Sequence, residues 1–230
     1  MATFDPFIDQ TKLFTVKNTT LILSALSLFL FIACSNEERV ANSDTTFVDG
    51  IVMFDGKKFS GIVFENYTNG QVKSEFQISQ GIVNGFGKTY YSTGQLTEIA
   101  TWVDGKKNGP YEKYYENGQL EVKASYNMDE RDGSFETFYE SGALQRKGTY
   151  DNNNLEGTIQ DYFETGQMKS SVTYHKNLKE GPYEEYHLNG KLRMFGYFKG
   201  DRRDGTFEIY NEDGEIIEKQ QFENGRAIQG

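Results

Sequence analysis

GPYEKYYENGQLEVKASYNMDERD, residues Gly109–Asp132, decides the fold, because it returns at a fixed interval of 24 residues. The opening glycine recurs as Gly61, Gly85, Gly109, Gly133, Gly157, Gly181 and Gly205. A second glycine follows each of these nine residues later, at Gly70, Gly94, Gly118, Gly142, Gly166, Gly190 and Gly214. No insertion breaks the register across seven copies, which marks a tandem array and not chance self-similarity within one domain. In such an array each unit leans on its neighbours, so function has to be sought in its surface and its anchor.

Counting each unit from its first glycine as position 0, positions 8 and 9 read Asn-Gly, Thr-Gly, Ser-Gly or Asp-Gly in every copy. A small polar residue before glycine is a strong short-range hairpin signal. Positions 2 and 5 are mostly aromatic, as in Tyr111 and Tyr114, and define a first strand of about six residues ending in that turn. Position 11 is always apolar (Leu96, Leu120, Leu144) and position 17 is large (Trp102, Tyr126, Tyr150), with a small residue often at 15. Their shared parity predicts a half-buried second strand with 11 and 17 on the packed face. Positions 2 and 5 differ in parity, so aromatics are expected on both faces, with the position-6 Tyr keeping a polar tip for water. A second connection, such as Asp104–Asn108, closes each unit. The whole reads as an all-β protein, an elongated antiparallel meander of seven 24-residue hairpins with about 14 strands, spanning roughly 65 Å at ~4.8 Å per strand. A sheet so wide is expected to be open and strongly twisted.

Composition agrees with this reading. Tyr (15), Phe (18) and Gly (24) are abundant while Pro (3) is scarce, which suits short paired strands joined by turns. The formal net charge of -10 argues against nucleic acid as a partner, since that needs a basic surface to displace counterions. A single cysteine, Cys34, allows no intramolecular disulfide and no cysteine cluster for a metal.

Cys34 ends the most apolar run of the chain, Leu21–Ala33, which follows Lys12 and Lys17. A basic stretch, a short apolar stretch and a small residue describe a bacterial export signal, and a run of this length falls short of the ~30 Å hydrocarbon core. Phe31-Ile32-Ala33-Cys34 resembles a lipoprotein signal, in which the cysteine is lipidated and becomes the new N-terminus. The expected organisation is therefore a signal peptide over residues 1–33, a polar tether over 34–46, a capping strand over 47–60 and the repeats over 61–230. The place implied is the cell envelope, on the outer membrane or the cell surface. An uncleaved membrane anchor is the alternative for the apolar run.

The unit G-x-Y-x-x-Y-Y-x-N-G-Q-L closely resembles the MORN-repeat variant found in many bacterial proteins, over about residues 61–230. The resemblance implies an elongated hairpin array and no active site. Relatives of this type are often labelled antitoxins, and eukaryotic MORN proteins are described as membrane-associated or scaffolding modules.

No residue constellation points to catalysis. His175 falls in a connection and His187 takes a place held by Tyr in other units, no phosphate-binding glycine loop opens a helix, and Asp151–Glu156 lacks calcium-loop spacing. No enzyme activity, metal or cofactor is expected. Two periodic features qualify as binding surfaces. Lys106, Lys107, Arg131, Lys179, Arg202 and Arg203 would make one edge basic, opposite an acidic edge at Glu116, Glu140, Glu164 and Glu212. Tyr90, Tyr114, Tyr162, Tyr186 and Tyr210 would form an aromatic row. The function these features suggest is a membrane-anchored scaffold for a protein partner not identifiable from sequence, with an antitoxin or a glycan- or wall-binding lipoprotein as alternatives.

Overall fold

A computed structural model describes residues 37–228. The signal-like segment and Cys34 lie outside the described residues. β1 (Arg39–Ala41), β2 (Thr46–Val48), β3 (Ile51–Phe54) and β4 (Lys57–Lys58) precede the array. Its first three units are β5 (Gly61–Asn66) with β6 (Val72–Ser79), β7 (Ile82–Tyr90) with β8 (Leu96–Val103), and β9 (Lys106–Tyr114) with β10 (Leu120–Asn127). A short β11 (Glu130–Arg131) leads into β12 (Gly133–Phe138) and β13 (Leu144–Asp151). Then come β14 (Asn154–Tyr162) with β15 (Met168–His175), β16 (Leu178–Tyr186) with β17 (Leu192–Lys199), and β18 (Arg202–Tyr210) with β19 (Ile216–Glu223), closed by β20 (Arg226–Ile228). From β5 onward consecutive strands pair antiparallel, β10 pairing with both β11 and β12, giving an open meander of hairpins in chain order.

The two connections exchange the characters expected of them. The tighter one joins unit to unit: Val103 opposes Lys106 across just Asp104 and Gly105, both at positive φ (49° and 76°). That is the type I′ geometry whose twist matches paired strands. Lys106 and Lys107 therefore begin β9 instead of lying in a loop, and the first strand of this unit runs nine residues, not six. The Asn-Gly turn is the looser one. Gly118 N–H donates to Tyr115 O (2.9 Å) and Tyr115 N–H to Gln119 O (2.8 Å) around a three-residue loop whose last member, Gly118, has φ 85°. This is a type I turn with a glycine bulge.

A second bulge assigns the faces. Thr89 opposes Glu98, yet Tyr90 opposes Leu96, so position 12 is squeezed out of the ladder, and the same step recurs in all seven units. Position 11 is thereby turned to the side of position 5, away from 15 and 17. The expectation that 11 and 17 share a face fails for this reason: parity counting holds only until a bulge intervenes. Aromatics do line both faces.

One face carries positions 2, 15 and 17. Val63, Ile78, Ala100, Phe135, Ile159, Val172 and Phe207 are buried there, Ile159 to 2 % exposure, though the sheet is a single layer. The small residue at 15 makes room for the ring or branched side chain opposite. Gly148 opposes Phe135 and Gly196 opposes Tyr183. A methyl at Gly148 would overlap Ile159 Cδ1, and one at Gly196 would overlap the Phe207 ring. Rings then meet edge to face along the array: Tyr183–Phe198, Phe198–Phe207 and Phe207–Phe222 have centroids 5.5, 5.5 and 5.3 Å apart. Such pairs add about 0.5–1.5 kcal/mol each beyond their buried area.

The N-terminal end is closed differently from the single capping strand read over 47–60. β2, β3 and β4 form their own three-stranded sheet. β1, within the stretch read as tether, pairs parallel with β5. Val40, Val52 and Phe59 join Val63 and Ile78 in the largest apolar cluster, where Phe54 meets Phe59 edge on. Val40, Val52 and Phe59 thus cover the first hairpin, which has no preceding unit to do so, while β2 and β4 stay exposed.

Gly148 has ordinary extended backbone, so Gly148→Ala tests packing without backbone strain. It is expected to destabilise by about 1–3 kcal/mol through overpacking against Ile159, read as a lowered denaturation midpoint. An unchanged midpoint would show that the small residue is not required.

Candidate interaction surface

Stacking leaves backbone groups exposed at both ends of each strand, and neighbouring units satisfy them. Pairing between β9 and β10 stops at Gly109, so the N–H and C=O of Lys107 that face β10 lack a ladder partner. Asp129 takes both: its N–H donates to Lys107 O (2.8 Å) and its Oδ1 accepts from Lys107 N–H (2.7 Å). Asn153 clasps Arg131, Asn177 clasps Leu155 and Asp201 clasps Lys179 in the same way. At the other end, inter-unit pairing stops one residue short of Tyr114, whose carbonyl accepts from Tyr91 Oη (2.9 Å). Tyr67, Tyr115, Tyr139 and, through Nε2, His187 repeat this bond. The position-6 tips expected to face water are therefore spent on the next unit. Asn69, Asn117 and Asn189 add a bond to the carbonyl beside it. The Asp or Asn at position 20 was legible in the sequence as a 24-residue recurrence, yet only the register shows what it holds.

The six bases read as one edge divide between the two faces. Lys107 opposes Trp102, on the packed face, while Lys106 opposes Val103, on the reverse. Lys107 Nζ lies 4.6 Å from the Tyr111 ring centre, with Glu98 Oε1 at 3.7 Å. Arg131 sits 4.2 Å over Tyr150, Lys179 4.9 Å over Phe198, and Arg203 5.0 Å over Phe207 and 5.2 Å over Phe222. These four roof the aromatic face, each contact being worth about 0.5–2 kcal/mol according to its desolvation. Lys106 and Arg202 are exposed and, unlike the exposed Arg131 and Arg203, lie over no ring among the described residues, so the basic edge is thinner than the sequence suggests.

The Tyr row occupies the reverse face and its hydroxyls are engaged. Tyr90 donates to Glu75 (3.0 Å), Tyr162 to Gln160 (3.1 Å), Tyr186 to Glu184 (2.7 Å) and Tyr210 to Glu208 (2.6 Å), and Tyr114 to Glu112. Burial, with these carboxylates second, pushes the phenols of Tyr90, Tyr114 and Tyr186 up to about 12. The bond to Glu208 is the chief cause of the upward shift at Tyr210. Lys219 and then Tyr210 hold the Glu208 carboxyl below its usual range. Glu116, Glu140, Glu164 and Glu212 are exposed at the Asn-Gly turns. The second histidine, His175, bonds Glu156 through Nδ1 at 2.9 Å. Among the described residues no cluster of three or more His, Cys, Asp or Glu is arranged for a metal ion.

Fold and surface together define a single-layer hairpin-repeat array. Five segments, residues 107–128, 131–152, 155–176, 179–199 and 203–224, match the family described as MORN repeat variant, so these units are MORN-variant repeats. The two hairpins before them fold in the same way outside the matched segments. No curated protein matches the chain.

The raised phenols predict a pH response. A Tyr whose folded value exceeds its unfolded one supports the fold fully below about pH 10, and that support is lost as pH rises through about 12. Denaturation midpoints should therefore fall between pH 10 and 12, and the ultraviolet phenolate titration should lag for a subset of Tyr. A single transition near pH 10 with constant stability would contradict the assignment.

Proposed function

We propose that this protein is a non-catalytic interaction scaffold, anchored at a membrane of the cell envelope by lipid on Cys34, and that its ligand is another protein. The observation that carries the reading is how the repeated residues are used. Positions 0, 2, 6, 15, 17, 20 and 22 serve stacking within or between units, so the residues that vary between copies are those left to the two faces and edges. Repeats of this kind form scaffolds for protein or membrane contacts in general, and the array here offers an extended surface of that type. The anchor rests on Phe31-Ile32-Ala33-Cys34 and the preceding apolar run alone.

Two measurements test it. Cys34→Ser should abolish labelling by a fatty-acid analogue and release the protein from the membrane fraction; unchanged fractionation would sink the anchor. Residues 35–230 used as bait should retain a defined protein partner at fixed stoichiometry. Retention of wall polysaccharide alone would favour glycan binding instead, and a single small toxic protein would favour an antitoxin.

A further inference from the structure

We infer that the Phe195–Tyr197 pair of the sixth unit is a docking site for a cationic side chain of a basic polypeptide partner. The inference deepens the scaffold reading by giving one site a ligand chemistry. Phe195 and Tyr197 occupy positions 14 and 16, which belong to the reverse face. Five of the other six units place two polar residues there, as in Lys123 and Ser125, Lys147 and Thr149, or Ser171 and Thr173, and the second has Ile99 with Thr101. The sixth unit alone has an aromatic pair at these positions, with rings edge to face at 5.4 Å and Tyr197 47 % exposed.

What surrounds the pair selects its partner. Phe195 stands in register between Glu184 and Glu208, and Tyr197 between Pro182 and Asp204. Directly opposed residues of an antiparallel pair share a face, so three carboxylates flank the two rings. Glu208 is held by Lys219 at 2.7 Å, but among the described residues neither Glu184 nor Asp204 has a Lys or Arg partner. The same fold shows what its rings accept. Trp102, Tyr111, Tyr126, Tyr150, Phe198 and Phe207 each have one of the chain's own Lys or Arg side chains over them. Even Phe86, in the middle of β7, lies 4.9 Å from Lys88 Nζ. Among the described residues no such cation lies over Phe195 or Tyr197. Two uncovered rings beside two carboxylates that lack a basic partner, Glu184 accepting among the described residues only from the Tyr186 hydroxyl, complement a guanidinium or ammonium supplied from outside. The site is flat and spans three strands, β16 to β18, so a small cation would remain largely hydrated there. A polypeptide supplies the neighbouring apolar contact that Pro182 and the exposed Tyr197 ring invite.

The test titrates the purified full-length chain with an acetylated, amidated tetra-arginine peptide at low salt. Phe195→Ser with Tyr197→Thr installs the residues of the fifth unit and leaves the net charge unchanged. It should weaken binding by about tenfold, the loss of cation–π contacts worth roughly 1.4 kcal/mol. Glu184→Gln with Asp204→Asn should weaken it comparably, while Glu116→Gln with Glu140→Gln, the same charge removed from the turns, should change it by less than about twofold. Should the aromatic double variant melt early, Tyr197→Thr alone carries the comparison, since its ring is already half in solvent. Binding that survives loss of the rings, or falls equally when the turn charges are removed, overturns the site as a mere response to net charge. Failure of the parent chain to bind the peptide overturns it too. None of these outcomes bears on whether residues 35–230 capture a partner elsewhere on the array, so the site and the scaffold reading fail separately.

Discussion

The structure depends on one recurrent interaction, in which a side chain of one unit satisfies backbone groups that the next or preceding unit cannot pair. A buried or crowded N–H or C=O without a partner costs about as much as a lost hydrogen bond. The meander creates such groups at both ends of every unit, because inter-unit pairing is shorter than pairing within a hairpin. Asp129 on Lys107 and Tyr91 on Tyr114 are the two solutions, and both span 22 or 23 residues of sequence. The clasps fix the repeat length, since one inserted residue would carry Asp129 past its target. They also explain why the units remain in phase from Gly61 to the last hairpin while so many surface positions drift.

A single-layer sheet has no second layer to bury its apolar face, yet Ile159 and Phe207 are nearly inaccessible. The cover comes from within the sheet. Side chains at position 2 lie against the small residue at 15, and the base at 22 lies over the rings with its aliphatic stem down and its charge toward water. The fifth unit begins differently, with Leu155 at the place of Lys107, Arg131, Lys179 and Arg203, and it holds the most deeply buried side chain of the array. An aliphatic residue can thus replace the roofing base where a branched Ile, not a ring, lies beneath. The same unit has Phe163 and Thr165 where others have Tyr and Asn, so it makes neither of the side-chain bonds found at the Asn-Gly end of its neighbours. The β15–β16 ladder, apolar packing and the Asp201 clasp remain to join it to the sixth.

Period, strand count and the small residue at 15 were legible because they are local or strictly repetitive. The faces were only half legible. Tyr111 and Tyr114 were rightly separated by parity, but Leu120 was placed with Tyr126 because the bulge at Glu121 has no glycine or proline to announce it. The turns were exchanged for a related reason. Asn117-Gly118 looks like the tightest hairpin, whereas the true two-residue turns use Met128-Asp129, Asn152-Asn153 or Lys176-Asn177. Asp129, Asn153 and Asn177 tolerate positive φ less well than glycine, but they add a side-chain acceptor to the N–H bond that Gly81, Gly105 and Gly225 make alone. The basic edge misled in the same manner: a list of charges does not say that Lys107 and Lys106 point to opposite faces, or that one of them already has a ring to sit on.

The bearing on function follows from that last distinction. A repeated charge or aromatic ring is, in this fold, nearly always engaged by a neighbour in its own or the next unit: Tyr67 by Tyr90, Lys179 by Phe198, Glu208 by Lys219. Periodicity therefore marks the residues least free to meet a ligand. Departures from it are more informative, but not equally so. Leu155 departs inward and is absorbed by the core beneath it. Phe195 and Tyr197 depart outward, at two positions where no other unit has an aromatic residue, and their flanking Glu184 and Asp204 lack the basic partner that Glu208 has. A departure that leaves rings without a cation over them and carboxylates without a basic partner has no use in stacking, which is the physical ground for assigning it to a partner instead.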